Sequence, residues 1–156
     1  MLRNVIGALA GALALSGAAL AQAQYGTAAE AEAMLEKAVA AVKADKAKAL
    51  DMFNTGEGGF LDRDLYPFCG DASDGKILAV ANPHAKQDIG KDVRELKDVT
   101  GKAYGQELFE AAQEPEGTIN EVSYKFPRPG DPKPTAKVAF VTRVGDMFCG
   151  VGYCKQ

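Results

Sequence analysis

The sequence predicts an α+β domain built on one antiparallel sheet. Three observations carry this. An Ala-rich segment with helical periodicity precedes the strands, from the Thr27 cap to Phe53. Two short strand-prone runs follow, Leu65–Cys69 and Lys76–Ala81, split by the turn-rich stretch Gly70–Gly75. Three more strand-prone runs close the chain, after a long polar connector. Helices segregated before and between antiparallel strands define the class.

The chain opens on a leader pattern. Arg3 precedes Val5–Leu20, an uncharged run of Val, Ile, Leu, Ala, Gly and Ser. The run ends in two overlapping small-x-small patterns, Ala19-Leu20-Ala21 and Ala21-Gln22-Ala23. These are the parts of a secretory signal peptide. The run is short and rich in Gly and Ala for a stable membrane span. Residues 1–23 are therefore expected to be removed and residues 24–156 to form one domain, periplasmic or secreted. An uncleaved anchor is the alternative. No later apolar run approaches spanning length.

The helical segment begins with a capping box, Thr27-Ala28-Ala29-Glu30. Met34, Leu35, Ala38 and Val42 form one apolar stripe. Ala49, Leu50 and Phe53 continue an apolar face, with a bend or restart expected at Asp45. Asn54–Gly59 ends the helix, its glycines supplying backbone freedom. Asp, Ser and Gly between the next two runs make a hairpin. The connector holds a short helical turn near Val93–Leu96 and a helix over Lys102–Gln113, with Gly105 an uncomfortable interior residue. Thr118–Phe126 reads as a strand. Pro127–Pro134 carries four of the seven prolines and reads as a loop between strands. Thr135–Val144 and Met147–Lys155 flank Gly145-Asp146, a two-residue hairpin signal.

The formal net charge of −3, with Lys interspersed among the acids, gives no reason to expect nucleic acid or an anionic membrane as partner. Catalysis finds little support. Ser16, Ser73 and Ser123 are the only serines, and none sits in a nucleophile elbow. Asp71, Asp74, Asp92 and Asp98 fall in turns, where turn chemistry explains them. No phosphate-cradling glycine motif appears. The lone His84 and three cysteines lack metal-ligand spacing. Neither enzyme activity nor a metal nor a cofactor is expected.

Four stretches in order, DLYPFCGDASDGKILAVANP, DIGKDVRELKDVTGKAYGQELFEAA, GTINEVSYKFPRPGDPKP and AFVTRVGDMFCGVGYCK, resemble the single Cache domain family. These are extracytoplasmic, PAS-like sensor modules of bacteria. The resemblance spans roughly Ala29 to Lys155. It implies a long amino-terminal helix packed on a five-stranded antiparallel sheet, with the connector between strands 2 and 3 roofing a small-molecule pocket. It also implies a small organic acid or amino acid as ligand and a role in signal sensing. The family usually sits between two membrane helices; no second span is legible here, which suggests a stand-alone form. Asn82-Pro83-His84 departs from the family's Ala-His-Pro or Ala-His-Gly order, so the histidine is displaced. The alternative function is an accessory module with a vestigial pocket, bound to a membrane receptor or histidine kinase.

In the resembling fold the first and last strands are neighbours, which implies a Cys69–Cys149 disulfide. Cys69–Cys154 and no bond are the alternatives. Cys149 and Cys154, five apart in one strand, face opposite ways and cannot reach each other. A thiol–disulfide protein is disfavoured by the lack of a CxxC motif. Tyr66 and Tyr124 combine an apolar ring with a polar tip and are pocket candidates. His84, at the mouth of the connector, could donate to a carboxylate or sense pH; a loop histidine capping backbone is the more favoured alternative. Arg128 and Lys137 are candidate anchors for an anionic ligand, as are Arg63 and Arg143.

Overall fold

The computed structural model describes residues 24–155; the expected leader, residues 1–23, lies outside them. Helix α1, Ala28–Ala44, starts at the capping box read from the sequence. Thr27 Oγ1 accepts from the Glu30 N–H, and the Glu30 carboxylate accepts from the Thr27 N–H. Ala31, Met34, Leu35, Ala38 and Val42 form its buried face. Asp45 ends α1 and caps α2, Lys46–Thr55, by accepting from the Lys48 N–H. Gly56 closes α2 in the left-handed region, at φ +81°. The expected long helix is thus two helices, restarted at Asp45.

The sheet has five antiparallel strands: β1 Pro67–Asp71, β2 Ile77–Val80, β3 Asn120–Arg128, β4 Asp131–Val144 and β5 Met147–Cys154. Their spatial order is β2-β1-β5-β4-β3. First and last strands are therefore central neighbours, with Cys69 opposite Cys149. The connector runs through two 3-10 segments, Pro83–Asp88 and Val93–Glu95, into α3, Tyr104–Ala111. α3 is shorter than the expected Lys102–Gln113. Gly105 has a reason to be there: a Cβ at this position would lie 1.8 Å from the Val93 carbonyl oxygen. Close approach of α3 to the connector requires the glycine.

The proline-rich stretch corrects the sequence reading. It is not a loop between strands but the end of the β3–β4 hairpin, in which Pro127 faces Pro134. The turn is reduced to Pro129-Gly130. Two facts make the prolines tolerable. β3 is an edge strand, and β4 extends past its last β5 partner, the pair Lys137 and Cys154. Missing N–H groups there remove no ladder bond.

The sheet separates two cores. On one face, α1 and α2 pack over Cys69, Ala79, Phe140, Val144, Met147 and Val151. On the other, α3 and the connector cover Val122, Tyr124, Ala139, Val141 and Phe148. A Cys69–Cys149 disulfide, with Cα atoms 4.1 Å apart, lies on the helix face; Cys154 is a buried free thiol. Among the described residues no helix is long and apolar enough to cross a membrane.

Candidate functional site

Alternation along the strands decides which side chains reach the connector face. β3 sends Val122, Tyr124 and Phe126 there, β4 sends Ala139 and Val141, and β5 sends Phe148. β5 then presents Gly150 and Gly152. A Cβ on Gly150 would lie 2.4 Å from the Phe68 ring, and one on Gly152 would lie 2.1 Å from Lys137 Cε. Glycine in a strand marks close approach, and here two side chains lie flat across β5. The Lys137 stem crosses Gly152 from β4 and delivers its amine to Tyr66, just before β1.

Between this face and the connector is a cavity of about 50 Å³. Its wall is mostly aromatic and aliphatic, with Tyr66, Phe68, Tyr104, Tyr124, Phe126 and Phe148 prominent. Tyr104 from α3 stacks on Tyr124, with ring centroids 4.2 Å apart and planes within 5°. Burial pushes both phenols well above the usual tyrosine range. Asp88 is the acid on the wall, and it pairs with Lys91 at 2.8 Å.

The polar end of the cavity is the Tyr66 hydroxyl. Lys137 Nζ donates to it at 2.8 Å, and so does Asn82 Nδ2 at 2.8 Å. Lys137 is 2% exposed, and its amine also sits 4.1 Å from the Tyr66 ring centroid. No carboxylate among the described residues pairs with it. Nor does the Tyr66 hydroxyl find an acceptor for its own proton there. Nearby, Arg128 lays its guanidinium over the Tyr25 ring at 3.9 Å. Its Nε is buried without a partner. Lys137 and Arg128 bring positive charge here, around Cys154, and the buried acid beside the same residue, Asp64, is taken up by the Gly26 and Cys154 N–H groups. A buried cation without a counter-charge is costly to maintain, so this arrangement suits an anionic guest.

Of the residues expected from sequence, Tyr66 and Tyr124 line the cavity. Lys137 reaches Tyr66 Oη without being part of the wall, and Arg128, also off the wall, stacks on Tyr25. His84 sits apart from the wall: half-buried in the first turn of the Pro83–Asp88 segment, it donates its backbone N–H to Asn82 Oδ1. Arg63 is committed elsewhere, to Glu30 and Asp62 at 2.8 Å each. Arg143 donates to the Gly145 carbonyl at the far hairpin.

Sequence reasoning missed Asn82, Asp64 and the β5 glycines. Asn82 read as turn chemistry; what it does depends on partners distant in sequence. Asp64, 2% exposed, accepts from the N–H groups of Gly26 and Cys154 and so ties the start of the domain to its last strand. Alternating glycines in a strand-prone run were the available signal for the flat-lying Phe68 and Lys137. Burial, the main cause, holds the Cys154 thiol above its usual value beside this cluster.

The turn acids have structural partners. Asp71 accepts from Ser73 and Asp74, Asp92 caps and pairs with Arg94, and Asp98 accepts from Thr100, Lys102 and Lys125. Among the described residues no three His, Cys, Asp or Glu side chains gather as for a metal.

No curated protein matches the sequence. Solved structures similar to it include a methyl-accepting chemotaxis protein from Vibrio parahaemolyticus RIMD 2210633. That match has a TM-score of 0.62 and 22% identity, and covers 80% of this chain and 85% of that one. A second is titled a periplasmic sensor domain of a chemotaxis protein, with TM-score 0.60, 21% identity, and 82% and 90% coverage. A third comes from work titled as the structural basis for carboxylic acid recognition by a Cache chemosensory domain. Its TM-score is 0.62 and its identity 17%, covering 82% and 92%. At these identities the likeness is one of fold. The family model described as a Cache domain matches residues 29–147, most of the chain, and this protein belongs to the Cache domain family.

Proposed function

We propose that residues 24–156 form an exported sensor domain that binds a small monocarboxylate, after removal of residues 1–23 as a signal peptide. The observation that carries the reading is the buried Lys137 amine, held by Tyr66 and lacking an acidic partner among the described residues. A carboxylate at the Tyr66 end would accept the free phenol proton and supply the missing charge; charge-assisted bonds of this kind are the strong ones. The apolar remainder of the wall supports a short hydrocarbon tail. Size supports a short acid as well. One water needs roughly 10–15 Å³ of such space, so about 50 Å³ suits a ligand of few non-hydrogen atoms.

An amino acid fits less well, because its ammonium needs an acceptor and Asp88 is already paired with Lys91. A solved Cache domain whose title names carboxylic acid recognition shares the fold, which supports the same ligand class. The role is binding in signal sensing, not catalysis, and the location is periplasmic or secreted. An accessory role with a vestigial pocket is not favoured by the buried lysine bonded to Tyr66 on the cavity wall. Calorimetric titration of the purified protein with acetate, propionate, butyrate, succinate and alanine tests the reading. Saturable binding of the short monocarboxylates, with succinate and alanine weaker, is expected. Heat-silent titrations across the panel, with no shift in melting temperature, would sink it.

A further inference from the structure

Asn82 stands where three segments meet, and it is fully buried, at 0% exposure. Its Nδ2 donates to Tyr66 Oη at 2.8 Å and to the Pro127 carbonyl at 3.0 Å. Both amide protons are therefore in use. Its Oδ1 accepts from the His84 N–H at 3.0 Å and caps the Pro83–Asp88 segment. That segment brings Ala85 and Asp88 to the cavity wall. One side chain thus links the covering segment, the β3–β4 hairpin and the polar end of the cavity.

The chemistry of this position is asymmetric. An aspartate has almost the same shape and would keep the cap, since a carboxylate oxygen also accepts from His84. It would lose both donors. It would also set a negative charge beside the oxygen that Lys137 holds at 2.8 Å. Two groups bonded to one oxygen lie within the ~4–6 Å over which opposite charges pair. The lysine would then have its counter-charge from the protein, and a carboxylate would meet repulsion.

We propose that Asn82 sets the charge specificity of the site. As a neutral double donor it holds Tyr66 in place and leaves the Lys137 ammonium for a bound anion to neutralise. This rests on the carboxylate reading above. Asn82 acts through Tyr66 and Lys137 and is a positioning residue.

The test is calorimetric titration of the purified protein with propionate, comparing wild type, Asn82→Ala and Asn82→Asp, with circular dichroism as the check of folding. Asn82→Asp is expected to lose at least ten times more affinity than Asn82→Ala. A purely structural role gives the reverse order, because alanine removes the cap and both donors together. An excess loss in Asn82→Asp smaller than tenfold, or alanine losing as much affinity as aspartate or more, overturns the proposal. If the buried carboxylate of Asn82→Asp prevents folding, Asn82→Ser decides: it is neutral and can cap, so it is expected to lose less than tenfold, and a larger loss overturns the proposal. Wild-type protein that binds no propionate or other panel acid would instead remove the functional reading itself, and this inference with it.

Discussion

The two faces of the sheet solve opposite problems. The helix face is filled. Phe53 and Phe60 meet edge to face with centroids 4.6 Å apart, and α1 and α2 cover Met147, Val151 and the Cys69–Cys149 bridge. Across the same strands, the connector face is hollowed. Gly150 and Gly152 stand where side chains would fill space, Phe68 and Lys137 lie flat, and a cavity remains. Each strand serves both faces, because alternate residues point to opposite sides. β5 shows it plainly in MFCGVGYC: Met147, Cys149 and Val151 build the solid core, while Gly150 and Gly152 make room for Phe68 and Lys137 on the other side. Core packing and the proposed binding site thus fall to the two sets of alternate residues.

That division can be broken by matched truncations. Phe53→Ala on the filled face is expected to cost about 3–5 kcal/mol, the range for emptying a buried aromatic site. Phe68→Ala is expected to cost less, because its ring borders space that is already open. Urea unfolding of both variants checks this; equal losses would mean that the two faces are equally dense.

Next is the bridge. Cys69 and Cys149 are 80 residues apart in sequence, and joining them constrains the unfolded chain by up to ~4 kcal/mol, often less. Cys149→Ser should therefore lower the urea midpoint while leaving propionate affinity within a few-fold of wild type. Binding lost in step with stability would contradict the separation of the faces.

The smallest expected effect lies at the rim of the helix face. A hydrogen bond from Arg63, then that from the Thr27 N–H, holds the Glu30 carboxyl down at about 2. The Thr100 hydroxyl, foremost among several donors, does the same for Asp98 in the connector, also to about 2. A carboxyl lowered in the folded state adds stability that is present above its unfolded value and is lost as pH falls through the folded one. Unfolding midpoints should therefore decline between about pH 4.5 and pH 2. Arg63→Met should flatten part of that decline, and an unchanged pH profile would exclude Glu30 from it.

Much of the filled face was legible in the sequence, because its signals are local. The Thr27–Glu30 box, the Met34–Val42 stripe and the Asp45 restart each lie within one or two helical turns. The hairpins announced themselves by their turn residues. The disulfide followed from strand adjacency in the resembling fold, not from spacing. The cavity was less legible, because its polar end is assembled from afar: Tyr66 meets Asn82 across 16 residues and Lys137 across 71. Tyr66, Tyr124 and Lys137 were expected on residue type, whereas Asn82 carries no local mark that separates a buried donor from a turn residue. The prolines at 127–134 misled for a related reason. Whether a proline harms a strand depends on which edge its missing N–H faces, and strand order settles that.

The central claim is that Lys137 is kept unpaired for an anionic ligand. Melting curves of wild type and Lys137→Met, with and without saturating propionate, test it directly. A buried charge without a partner is costly to keep, and a similar apolar chain in its place removes that cost, while a ligand stabilises only the protein that binds it. Lys137→Met is therefore expected to melt at or above the wild-type temperature without ligand and to show no shift with propionate, while wild type shifts upward. A variant that melts lower yet keeps the full propionate shift would contradict the claim.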